Sequence, residues 1–158
     1  MLTLSVTIIL IQEVFSMDYY KELDTVLSQP YLGDAFYDAD VEYVMDVLLP
    51  SLKQGEWCAL GACLEEKSSL YKYKLAYCIE GYDTSNAFNI LMNLILCHDE
   101  NILEEVLQSF TSFDSFKYKE QLIKFPQVIT ILKDLSSCKG NPKIGRLSTS
   151  ICETFGLQ

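Results

Sequence analysis

The sequence predicts an all-α protein built as stacked antiparallel helix pairs or as an irregular helical bundle. Apolar residues recur at three- and four-residue spacing through most of the chain, which places them on one face of each helix. No segment after residue 17 alternates apolar and polar residues as a strand would. The 158 residues, of which 49% are hydrophobic, suffice to bury a core. We therefore expect one helical domain over residues 17–158.

The first sixteen residues lie outside the predicted helical domain. They contain an apolar run that is too short to cross a bilayer as a helix. No Lys or Arg precedes Glu13, although Val14 and Ser16 would suit a signal-peptide cleavage site. Residues 1–16 are thus interpreted as a mis-start or loosely attached extension, as a signal, or as an ordered packing element. These alternatives stay open.

The first predicted helices lie in the acidic front half. The first covers residues 17–29 and ends at the step into Pro30. Asp38 or Asp40 is expected to cap the second helix, and Gly55 separates it from a third. The apolar stripe of the second helix comprises Val41, Val44, Met45, Leu48, Leu49 and Leu52. Trp57 is expected to lie in the core with its helical neighbours.

The later helices follow from similar signals. Ser68 or Ser69 is expected to cap the fourth helix, Asp83 to begin a central one, and Asp99 to cap its successor. The central helix is apolar nearly all round, so it should be covered on more than one side. No periodicity is evident from Asp114 until Pro126, which suits a first helical position. The last helix begins at Asn141-Pro142.

The charge of the chain excludes several classes of partner. The formal net charge is −10, and residues 17–66 hold eleven acidic residues against two lysines. A nucleic-acid-binding surface needs Lys and Arg to neutralise phosphates, and anionic lipid would be repelled as well. We therefore expect no nucleic-acid partner and no membrane partner. A basic protein is the natural counterpart, unless the charge serves solubility alone.

The sequence contains no convincing catalytic or metal-binding motif. Cys97 and His98 are adjacent on a helix and so point about 100° apart, which does not suit a nucleophile and its base. A zinc site would need several convergent ligands, and the chain has one histidine. The six cysteines form no C-x-x-C pair and are interpreted as reduced, mostly buried thiols. We expect no enzymatic activity, no metal and no cofactor.

Two helical segments resemble each other at a spacing of roughly thirty residues, which lies within the range of helical repeats. They are Tyr71 to Ile79 and Leu103 to Phe110, and each adjoins a second apolar helix across a short turn that contains Asp. With the turn from Tyr82 to Ala87, they resemble HEAT-like repeats. The resemblance implies helix pairs that stack side by side, and an irregular bundle is the alternative.

The acidic front half is the strongest functional signal. Glu42 and Asp46 are four residues apart on the expected solvent side of their helix, which is an unfavourable like-charge arrangement. Ordinary solvation and helix capping would also explain such acids. A cationic partner would relieve the repulsion and be captured faster because of it. Tyrosines among these acids are suitable interface anchors.

A small acidic helical protein without catalytic motifs is similar to the immunity proteins of bacterial toxin systems, including contact-dependent growth inhibition. The resemblance implies a cytoplasmic protein that binds a basic toxin domain, in many cases a nuclease, and blocks its phosphate-binding cleft. The candidate partner-binding residues, chosen on charge, are Asp34, Tyr37, Asp38, Asp40, Glu42, Tyr43, Asp46 and Glu56. The alternative is a HEAT-like adaptor that binds another protein along a concave face near Asn86, Asn89 and Asn93.

Overall fold

The computed structural model describes residues 18–137 and 140–157, and it contains helices and turns but no strand in those ranges. The prediction of an all-α fold is therefore confirmed. The interpretation of residues 1–16 lies outside the described residues. The helices are α1 (Tyr19–Leu27), α2 (Phe36–Asp40, Val41–Tyr43, Val44–Leu48 and Leu49–Ser51, joined end to end), α3 (Gln54–Ala62), α4 (Ser69–Ile79), α5 (Ser85–Leu96), α6 (Leu103–Phe110), α7 (Ser115–Ile123), α8 (Pro126–Ser136) and α9 (Pro142–Phe155).

The contacts between helices define two layers. One layer runs through α2, α4, α6 and α9 in that order, each packed on the next. The other runs through α3, α5 and α8. Helix α5 contacts α4 and α6 across the layers, and α8 contacts α9 in the same way. Helix α1 packs on α2 and α4, whereas α7 packs on α5, α8 and α9.

Helix α5 is the centre of the core. Its apolar side chains are buried, and it contacts helices of both layers, as its nearly uniform apolar surface predicts. The ring of Phe88 is fully buried there. Its ring centroid lies 4.7–6.3 Å from the rings of Phe110, Phe113, Tyr118 and Phe155. One side chain of α5 thereby joins α6, α7, α9 and the loop after α6.

Several predicted helix starts are confirmed. The Ser68 hydroxyl accepts from the backbone N–H of Tyr71, and Asn141 caps α9 through the N–H groups of Lys143 and Ile144. Pro126 begins α8 as predicted. Trp57 is buried as expected.

Four predicted boundaries are wrong. Helical backbone already begins at Asp34, so Asp38 and Asp40 lie inside α2 and neither caps it. Gly55 lies in the first turn of α3 and separates nothing. Thr84 caps α5 in place of Asp83, whose carboxylate instead binds α7. Helix α6 begins at Leu103 without a side-chain cap, so the prediction for its start at Asp99 fails as well.

The cysteines of the described chain are free thiols, as predicted. Cys78 is buried, but Cys58 is exposed, and Cys63, Cys97 and Cys152 are half-buried. The expectation that most are buried is therefore too strong. Burial raises the pKa of the Cys78 thiol to about 12, which keeps it protonated at neutral pH.

Candidate functional site

Helix α2 contains two π-helical turns, Phe36–Asp40 and Val44–Leu48. One turn of an α-helix takes about 3.6 residues, so a step of four residues rotates slightly past one full turn. A π-helical turn is wider because its hydrogen bond closes one residue further along, so the same step rotates slightly less than one full turn. Alternation of the two turn types therefore keeps residues four apart on one face. Burial follows this period, because Phe36, Val44 and Leu48 are fully buried and Asp40 is half-buried.

The opposite face of α2 carries four acidic residues at the same period. All four are exposed, and each lies two residues out of step with the buried positions. We call this face the acidic ridge, and its members are Asp34, Asp38, Glu42 and Asp46. Half of the sequence-predicted site is thus brought together in one row. The π-helical turns that align these residues cannot be recognised by searching the sequence for a helical period of about 3.6 residues.

The acidic ridge lacks a cationic partner within the described residues. The salt bridges there join Lys67 to Asp24, Lys72 to Asp99, Lys117 to Asp83 and Lys143 to Glu104, and none reaches the ridge. No side chain of the ridge accepts a hydrogen bond within the described residues either. The mutual repulsion along the ridge is therefore not offset by a neighbouring cation.

The other four predicted residues have different surroundings. Asp40 accepts a hydrogen bond from the Tyr31 hydroxyl at 2.9 Å, and the Glu56 carboxylate accepts from the Lys53 N–H at 2.6 Å. Both carboxylates are thus used within the fold. Tyr43 is half-buried and packs against the core, whereas Tyr37 is 37% exposed at the edge of α2.

A buried cation lies beneath α2. Lys74 is fully buried, and its Nζ donates to the Gln29 carbonyl at 2.8 Å. The same nitrogen lies about 5 Å from the ring centroids of Tyr31 and Phe36. Burial lowers the pKa of Lys74, and the charge of Asp40 opposes that change. Asp40 therefore balances an internal charge and does not belong to the acidic ridge.

The structure adds residues that sequence reasoning missed. The Tyr37 hydroxyl lies 3.3 Å from that of Tyr73, and its ring centroid lies 5.1 Å from that of Tyr77. Glu105 of α6 interacts electrostatically with Tyr73, Tyr77 and Glu80. We call this second group the tyrosine cluster, and it comprises Tyr37, Tyr73, Tyr77, Glu80 and Glu105. The only sign of the tyrosine cluster in the sequence is the four-residue spacing of Tyr73 and Tyr77.

The carboxylates of the tyrosine cluster repel each other. Burial raises the pKa of Glu105, and the charges of Glu80 and Glu104 raise it further. Lys143 binds Glu104 and only partly offsets this effect. The cluster therefore combines aromatic surface with incompletely compensated negative charge, and Tyr37 links it to α2.

The Asn residues of the predicted concave face line a pocket of about 240 Å³. Asn86, Asn89 and Asn93 project from α5 toward α3 and the start of α8. This pocket lies in the helix layer that does not contain α2. The two surfaces singled out by the sequence are thus carried by different layers.

The Cys97-His98-Asp99 segment forms a turn. His98 adopts a left-handed backbone conformation with φ of 51°, while Asp99 accepts from the Ser69 hydroxyl and the Asn101 N–H. Asp99 also pairs with Lys72, so its carboxylate joins the turn to α4. Across residues 18–137 and 140–157, no group of three or more His, Cys, Asp and Glu side chains is placed to hold a metal ion.

Comparisons with known proteins give no family assignment. No protein-family model matches the chain, and neither a curated protein nor a solved structure was found to be similar to it. Within the described residues, the helices are also too short or too polar to span a bilayer.

Proposed function

We propose that the protein is a non-catalytic, cytoplasmic immunity protein that binds a basic toxin domain through the acidic ridge. The observation that carries this proposal is the row of four exposed carboxylates without a cationic neighbour in the described chain. Such a row costs the free protein stability because each carboxylate repels the next. A cationic surface laid against it would remove that cost and gain favourable electrostatic energy.

The mechanism we propose is a steric and electrostatic block without turnover. The ridge extends through three successive four-residue steps, so it presents negative charge in a line. Nucleases bind a line of phosphates through Lys and Arg, and such a line of carboxylates is complementary to the same cleft. The long-range field of a chain with net charge −10 would also accelerate encounter at low salt.

The tyrosine cluster, which includes Tyr37, supplies the proposed anchor beside the acidic ridge. Interface energy is concentrated in a few aromatic or Arg side chains, and charged rims mainly set the rate and specificity of association. Tyr37 is exposed and is held in place by Tyr73 and Tyr77. A rigid phenol next to carboxylates suits an Arg side chain, which stacks on the ring while it pairs with an acid.

The test is affinity capture from cells that naturally contain the protein, using the full chain as bait. We expect the wild type to capture a basic protein, and the double variant Glu42→Lys, Asp46→Lys to lose at least 100-fold in affinity for it. The matched control is Glu120→Lys, Glu153→Lys, which changes the net charge equally at exposed positions of α7 and α9. Equal binding by all three proteins, or capture of a partner that is not basic, would refute the proposal that the acidic ridge binds a basic toxin domain.

A second candidate function is an adaptor that binds another protein along the α3–α5 face. The pocket lined by Asn86, Asn89 and Asn93 favours it, because convergent polar groups in a concavity are the usual mark of a binding site. Glu42→Lys, Asp46→Lys would leave binding at this face unchanged. The same captured material therefore distinguishes the two candidates.

A further inference from the structure

The pocket between α3, α5 and the start of α8 is uncharged. Its lining consists of carboxamides, apolar side chains, a thiol and a glycine, although the chain has a net charge of −10. The Trp57 indole stacks on Tyr82, with ring centroids 6.1 Å apart, and Phe125 also contributes apolar surface to the pocket. The pocket therefore suits a neutral ligand that has both polar and apolar parts.

Three of the pocket's carboxamides, Gln54, Asn86 and Asn89, are held in fixed orientations. Gln54 and Asn86 exchange two hydrogen bonds of 3.1 Å, each donating its NH₂ group to the oxygen of the other. Gln121 donates to the Asn89 oxygen at 2.7 Å and to the Ser85 carbonyl at 2.9 Å. These contacts assign each amide its donor end and its acceptor end. The polar wall of the pocket is thus ordered before any ligand arrives.

Hydrogen-bonding capacity remains at the middle of the wall. The oxygen of Asn89 is occupied by Gln121, so its NH₂ group is left to donate. The Asn93 carboxamide makes no hydrogen bond within the described residues, and both of its ends are available. It also packs directly on Gly61, where an added Cβ would lie 2.8 Å from its Nδ2. The missing side chain at Gly61 therefore leaves the space that the Asn93 carboxamide occupies.

The spacing of the asparagines defines the length of the ligand. Asn86, Asn89 and Asn93 recur after three and four residues, so they share one face of α5. Their Cα atoms span roughly 10 Å along the helix at a rise of about 1.5 Å per residue. An extended peptide rises about 3.3 Å per residue, so about three residues cover the row. A main-chain amide offers one donor and one acceptor. The Asn93 carboxamide can satisfy both, whereas Asn89 can only donate, because its oxygen already accepts from Gln121.

We propose that this pocket binds a short, uncharged, extended peptide segment of a second protein. A main-chain carbonyl of the peptide accepts from the Asn89 NH₂ group, another main-chain amide pairs with the Asn93 carboxamide, and an apolar peptide side chain packs against Trp57 and Phe125. This inference deepens the adaptor candidate by naming its ligand. It does not depend on the acidic ridge.

The experiment uses the full chain and a library of hexapeptides that are acetylated, amidated and free of charged residues. Binding is followed by ¹H–¹⁵N spectra of the protein, in which the side-chain NH₂ signals of Asn89 and Asn93 are observed directly. A parallel library with the same side chains carries N-methylated main-chain nitrogens, which cannot donate. We expect peptides of the first library to bind the protein and to shift these NH₂ signals. N-methylation of the peptide main chain should lower the affinity at least tenfold.

The variants test the same contacts from the protein side. Asn89→Ala and Asn93→Ala should each weaken binding of the selected peptide about tenfold. Asn93→Asp is a near-isosteric second variant that replaces the NH₂ donor with a carboxylate oxygen and adds a negative charge, so it should weaken binding of the peptide as well. Gln108→Ala, an exposed carboxamide on α6, is the control that should bind normally. The variant Glu42→Lys, Asp46→Lys should also bind the peptide normally, so this result does not depend on whether the acidic ridge binds a partner. No binding at millimolar peptide, or equal affinity of the N-methylated library, would overturn the proposal.

Discussion

Neutralising part of the acidic ridge should stabilise the free protein. The variant Glu42→Gln, Asp46→Asn removes two of the three like-charge pairs along the ridge while keeping side-chain size. Each such pair costs about 0.2–0.5 kcal/mol, and both positions lie beyond the first helical turn, where the helix dipole would favour an acid. We therefore expect the free energy of unfolding to rise by about 0.5–1 kcal/mol at low ionic strength. The midpoint of thermal unfolding should rise by about 2–4 °C for each kcal/mol in a chain of this size.

Salt dependence identifies the cause of this gain. The assay is urea and thermal unfolding followed by circular dichroism, at about 10 mM and about 1 M salt. The Debye length falls from roughly 30 Å to 3 Å between these conditions, so the gain should vanish at high salt. Glu120→Gln is the sign control, because exposed Glu120 lies three residues after Lys117 and four before Lys124, the residue that follows α7, and its neutralisation removes favourable pairings with both. A ridge variant that gains nothing at low salt, or whose gain survives high salt, would refute the reasoning.

Two further predictions concern the core. Phe88→Ala should lower the free energy of unfolding, measured in urea, by about 3–5 kcal/mol because it leaves a cavity among four rings. Phe116→Ala, at a side chain that is 97% exposed, should lower it little. Equal losses would contradict the packing described for Phe88. Stability should fall as pH rises from about 9 to 12, because the folded state holds the Cys78 proton after the unfolded state has released it. Cys78→Ala should make this decline shallower by on the order of 1.4 kcal/mol per pH unit, and an unchanged slope would show that another group controls it.

The helices that sequence reasoning located best are those with a period of 3.6 residues and strong caps. Helix α9 has both, and its start at Asn141-Pro142 was predicted correctly. Helix α7 was missed because its exposed residues include Phe116 and Ile123, which blur the amphipathic pattern. Only the cap at Asp114, which accepts from the Phe116 N–H, marks its beginning.

The site was predicted less completely because its geometry depends on the wide turns of α2. Charge selected six acidic residues, together with the two tyrosines that lie among them, and could not separate side chains that face solvent from those used inside the fold. Asp40 and Glu56 are two of the latter, since each accepts a hydrogen bond from a neighbouring segment. Tyr73 and Glu105 come from other helices, and their approach to Tyr37 is set by packing that no local pattern encodes.

The contrast between the acids of this chain supports a role for the ridge outside the fold. Asp24, Asp83 and Asp99 each bind a lysine from a distant part of the sequence, so these carboxylates help to fix the tertiary structure. The acidic ridge makes no such contact in the described residues, although α2 packs its opposite face firmly into the core. Folding alone would be served as well by neutral polar residues at Glu42 and Asp46, which lie exposed beyond the first helical turn. A row of repelling charges is better explained by an external cation, and the stability gained on neutralisation measures what that cation would relieve.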